Sequence, residues 1–80
     1  MNNLKTLMNF LYKLEDANIY YSIRKPSSRP RECIMVEVIV PGQRWEVEFF
    51  EDEIQIEVYR SDGRIYDESH LDVLFADYSD

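Results

Sequence analysis

Between Trp45 and Tyr59 the chain repeats one alternation: Trp45-Glu46-Val47-Glu48-Phe49 and Ile54-Gln55-Ile56-Glu57-Val58-Tyr59 place apolar side chains at every second position. A period of two marks a strand with one face on a core and the other in water. Glu51-Asp52-Glu53 between the two runs is too short and polar to be anything but a hairpin connection, so the strands pair antiparallel. Pro41-Gly42 supplies a turn before Trp45, which implies a preceding strand from about Glu32 to Val40. Ile19-Tyr20-Tyr21-Ser22-Ile23-Arg24 is β-branched and aromatic and reads as another strand, ending before Pro26. Ser61-Asp62-Gly63 closes the fourth strand with a turn glycine, and Ile65-Tyr66 adds a short strand or an extension.

Helices are expected at both ends of this meander. Leu4, Leu7, Met8, Leu11 and Leu14 recur at three- and four-residue intervals, the stripe of an amphipathic helix from about residue 3 to 16, read here as core. Asn3 is its candidate N-cap, and Asn18 its left-handed C-terminal residue. Ser69 followed by Asp72, ahead of Leu71, Leu74, Phe75 and Tyr78, has the form of a capping box opening a short second helix. The order is αββββα, and its connections are too short for parallel crossovers. With 80 residues the chain supports one hydrophobic core, so residues 1–80 form a single α+β domain.

Alternation also assigns faces. With Trp45, Val47 and Phe49 inward, Ile19, Tyr21, Ile23, Ile34, Val36, Val38, Ile54, Ile56 and Val58 follow, beneath the helices. The opposite face holds Tyr20, Ser22, Arg24, Met35, Glu37, Ile39, Glu46, Glu48, Phe50, Gln55, Glu57 and Tyr59. Large apolar groups gathered among charges have the composition of a protein-binding surface, provided the second helix does not cross over and cover them. Glutamates on adjacent strands of one face repel, a cost that binding a basic partner would explain. Tyr20, Glu37, Glu46, Glu48, Phe50, Glu57 and Tyr59, with Glu51, Asp52 and Glu53 at the end of the hairpin, are therefore the candidate partner-binding residues. A solvated acidic face serving solubility is the plainer reading.

Charge narrows the partners. The net charge of −7 divides into +4 over residues 1–31 and −11 over residues 32–80. An acidic segment of that size repels phosphates, so nucleic-acid binding is not expected. Arg24-Lys25-Pro26-Ser27-Ser28-Arg29-Pro30-Arg31 is the basic exception, and its prolines and serines suit a solvated loop. No window approaches the run of about 18 apolar residues that a membrane span needs. Cys33 is the lone cysteine, which favours the reducing cytoplasm.

Little in the chain suggests catalysis or metal binding. Paired catalytic carboxylates need a concave site that raises one pKa, and a flat strand face offers none. His70, the single histidine, has no second ligand at metal spacing and reads as a surface residue of the last helix's first turn. Cys33 reads as a small core or edge side chain, and Asp52 and Asp62-Gly63 lack the spacing of a calcium loop. Neither a cofactor nor an enzymatic activity is expected.

The segment Ile34-Met35-Val36-Glu37-Val38-Ile39-Val40-Pro41-Gly42-Gln43-Arg44-Trp45-Glu46-Val47-Glu48-Phe49-Phe50, followed by an acidic turn, a strand and Arg60-Ser61-Asp62-Gly63, resembles short bacterial proteins that share the pattern MVEVxVPGxRWEVEFF. Proteins of this appearance resemble immunity proteins of toxin systems, including contact-dependent growth inhibition. The resemblance spans about residues 10 to 68 and implies a small cytoplasmic protein that neutralises a cognate toxin domain, often a nuclease. Glu53 stands where that pattern leads one to expect a turn glycine. The alternative is a self-associating structural or regulatory protein that buries the Phe50 and Tyr59 face in a homodimer.

Overall fold

The computed structural model describes residues 3–26, 31–59, 65–66 and 68–78. Helix α1 (Leu4–Asp16) leads into β1 (Tyr20–Arg24), β2 (Ile34–Val40), β3 (Gln43–Phe49), β4 (Ile54–Tyr59) and the two-residue β5 (Ile65–Tyr66). A 3-10 turn, Glu68–His70, then opens α2 (Leu71–Tyr78). The strands form one antiparallel sheet in the order β1-β2-β3-β4-β5. The architecture is the αββββα meander expected from the sequence, with Ile65–Tyr66 as a short fifth strand. The Ser61-Asp62-Gly63 turn, the middle of the basic loop and the Ser69 side chain of the expected capping box lie outside the described residues.

Local chemistry explains the joints. At the Pro41-Gly42 turn proline holds its own φ near −65°, and Gly42 sits at φ 79°, the left-handed position of a type II turn. Helix α1 ends in a Schellman motif: Ile19 N–H donates to the Leu14 carbonyl (3.0 Å) and Asn18 N–H to that of Glu15 (3.2 Å), with Asn18 left-handed at φ 58°. Asn3 does not cap its helix with its side chain, contrary to expectation. Its Nδ2 instead donates to the Phe50 carbonyl (2.8 Å) and the Glu53 carbonyl (3.2 Å), pinning the start of α1 to the β3–β4 connection. That connection closes with Phe50 N–H donating to the Glu53 carbonyl at 2.9 Å. None of its residues has a positive φ, so glycine is not required at position 53.

Both helices lie on one side of the sheet. Phe10 and Leu14 of α1 and Leu74 of α2 share a core with Val36, Val38, Trp45, Val47, Phe49, Ile56 and Val58. Phe75 meets Phe10 edge to face at 5.9 Å. The stripe on α1 is rotated from the expected one, because its buried line runs through Leu7, Phe10, Leu11 and Leu14. Leu4 and Met8 fall on its flank, and Met8 is 57% exposed. Ile23 is on the helix side as expected, yet on the edge strand it escapes cover and is 53% exposed. His70 is not a free surface group: its ring stacks on the Trp45 indole at 5.2 Å. Cys33 is buried.

A candidate protein-binding face on the outer side of the sheet

With α1 and α2 on the same side, neither helix covers the outer face. Strand register arranges that face in three rows. Ser22, Glu37, Glu46 and Glu57 lie directly opposite one another across β1 to β4. Tyr20, Ile39, Arg44 and Tyr59 form the row toward the Pro41-Gly42 end, and Arg24, Met35, Glu48 and Gln55 the row on the other side. All three rows follow from period-two alternation.

Directly opposed carboxylates would weaken the sheet if left alone. Glu37 is held between two guanidinium groups, accepting from Arg24 Nη2 at 3.1 Å and lying 3.5 Å from Arg44 Nη1. Its side chain keeps only 11% of its exposure. Arg44 is also 3.8 Å from Glu46 Oε2, and the Tyr59 hydroxyl donates to Glu46 Oε1 at 3.2 Å. The Arg44 guanidinium covers the Tyr59 ring at 4.4 Å, a cation-π contact that fixes both side chains. Partial burial, with the Glu57 and Glu46 carboxylates beside the hydroxyl, pushes Tyr59 up to about 12. Two arginines against four glutamates leave the face net negative, with Glu37 and Glu46 held in ion pairs.

The candidate residues thus separate. Tyr20, 72% exposed at the edge, and Ile39 and Tyr59 provide accessible apolar area, while half-buried Glu46 and Glu57 carry charge in the neighbouring row. Glu37 and Glu48 share the face but are buried. Phe50 does not belong to the open face. Strand β3 ends at Phe49, and Phe50 turns into cover with 7% exposure under the Arg31 guanidinium, 4.6 Å from the ring centroid. Asp52 and Glu53 are also engaged, since both accept from Arg31, which joins the β1–β2 connection to the β3–β4 turn. That contact holds the Glu53 carboxyl below its ordinary value of 4.5. Glu51 remains exposed beside them. Arg44 is the residue that sequence reasoning missed, although it stands two positions before Glu46 and so on the same face.

The helix side carries a groove of about 520 Å³ between α1 and α2, lined by Thr6, Asn9, Phe10, Lys13, Asp72 and Phe75 among others. Among the described residues no group of three or more His, Cys, Asp or Glu is placed to hold a metal ion, and no helix is long and apolar enough to cross a membrane. None of the protein-family models, curated proteins or solved structures compared with this chain matches it.

Proposed function

We propose that the chain is a cytoplasmic, non-enzymatic immunity protein whose outer sheet face binds and neutralises a cognate bacterial toxin domain, a basic nuclease in the first instance. The observation that carries this reading is a sheet face left open by both helices, where exposed Tyr20, Ile39 and Tyr59 form one row beside half-buried Glu46 and Glu57 in the next. Accessible aromatics among immobilised charges are the anchors of a protein interface. The residual negative charge would steer a basic surface toward the face, and Tyr59, already fixed by Arg44 and Glu46, would lose little side-chain freedom on binding. The Met35–Phe50 segment that resembles immunity proteins supplies β2, β3 and much of this face.

Co-expression with the toxin domain encoded next to the gene tests the proposal. Cells carrying both should survive, and the two proteins should co-purify. Death of the cells despite ample folded protein would overturn it.

A further inference from the structure

Among the described residues the sheet has one edge of substantial length, on β1, because its other edge is the two-residue β5. Register determines which β1 groups face outward. The two-residue turn makes Val40 and Gln43 a hydrogen-bonded pair, and hydrogen bonding alternates along antiparallel strands. Val36 and Val38 therefore bond to β3, and Glu37 and Ile39 to β1, where their partners are Ser22 and Tyr20. The N–H and C=O groups of Tyr21 and Ile23 are left pointing off the edge. Such an edge is a template for another strand unless something blunts it.

We infer that β1 is a homodimer seam, pairing antiparallel with β1 of a second copy about a two-fold axis through Ser22. The strand is complementary to itself in that register. Tyr21 meets Ile23 of the second copy through their outward backbone groups, Ser22 faces Ser22, and Tyr20 comes opposite Arg24, an aromatic ring beside a guanidinium. The C-terminal end of α1, above β1, fits the same axis. Tyr21 donates to Glu15 at 2.6 Å, which places the end of α1 over the start of β1, and the Asn3 contact with Phe50 places the start of α1 at the opposite end of the sheet. Helix α1 is thus antiparallel to β1. The two-fold brings the acidic end of one α1 (Glu15, Asp16) toward Arg24 and Lys25 at the end of the other copy's β1, basic groups that Glu37 and Glu32 of their own chain already hold, so the charge across the seam is complementary in sign. Exposed Met8 and Ile23 lie along this seam, where a second copy covers them. Ile39, Tyr59, Glu46 and Glu57 of both outer faces stay open and only Tyr20 is shared with the seam, so the pairing is tested apart from the toxin reading.

Two measurements on the full chain test the seam. In sedimentation velocity at about 100 μM, where micromolar association is complete enough to see, the protein should run at twice its 9.6 kDa mass. Ile23→Lys and Met8→Lys, both at exposed positions, should each weaken the dimer at least tenfold, whereas Tyr59→Ala should not. In the second, mild oxidation with oxidised glutathione should link Ser22→Cys into a covalent dimer, because the two-fold juxtaposes residue 22 of both copies. Tyr20→Cys, and the parent chain with its buried Cys33, should stay unlinked. A monomeric parent with no Ser22→Cys crosslink overturns the seam, as does a dimer lost in Tyr59→Ala but kept in Ile23→Lys.

Discussion

Replacing Glu57 with Gln should stabilise the protein, and replacing Glu37 with Gln should destabilise it, although each change deletes one charge from the same row. Glu57 lies opposite Glu46 and has no arginine partner among the described residues. Removing its charge relieves a cross-strand repulsion of about 0.5 kcal/mol, which for a domain of this size raises the melting temperature by about 2–4 °C. Glu37, with little exposed area, accepts from Arg24 and pairs with Arg44. Its neutralisation leaves two guanidinium groups facing each other without their shared anion. Because both arginines remain about half exposed, the ion-pair loss is discounted to about 1–2 kcal/mol, or about 5–12 °C. Thermal melts followed by far-UV circular dichroism give both numbers. Repeating them at about 1 M salt should shrink the Glu57→Gln gain, since the Debye length falls to about 3 Å. Shifts of the same sign in the two variants would refute the account of the row.

Other residues offer independent checks. Leu14→Ala should cost about 2–5 kcal/mol in urea unfolding and Met8→Ala under about 0.5, which tests the rotation of the α1 stripe. Tyr59, neutral up to about 12 in the folded protein against 10.0 for an ordinary tyrosine, contributes stability that is complete below pH 10.0 and lost as pH rises toward about 12. Spectrophotometric titration should accordingly show a late-ionising phenol that disappears in Tyr59→Phe. Glu53 has the opposite sign: its depressed carboxyl contributes stability above 4.5, lost as pH falls through the lower folded value. Acid unfolding of Arg31→Ala should therefore be less steep below pH 4.5 than that of the parent.

What the sequence made legible follows from the range of the interactions. Strict alternation at 45–49 and 54–59 and the Pro41-Gly42 turn are local signals, and with them came the meander and most of the contents of both faces. Helix phase was less secure, because α1 carries more apolar residues than one buried line can take; Phe10 won a place in the core that Leu4 and Met8 lost. Phe50 misled because alternation was carried one residue beyond the end of β3. Arg44 was overlooked for the converse reason, since β3 begins two residues before Trp45. The clamp of Arg31 on Asp52 and Glu53, the reach of Asn3 and the stacking of His70 on Trp45 join residues 21 to 50 positions apart, and no local pattern announces them.

Under the proposed immunity function the toxin docks on the outer face. Its most direct test is the affinity of the purified toxin domain for the parent chain and for folded Glu57→Lys and Tyr59→Ala variants, measured by titration calorimetry at low and high salt. Tyr59→Ala should lose about 2 kcal/mol or more, the scale of an interface hot spot, and Glu57→Lys should bind more weakly with a flatter salt dependence. Unchanged affinity in both variants would place the docking surface elsewhere and contradict it.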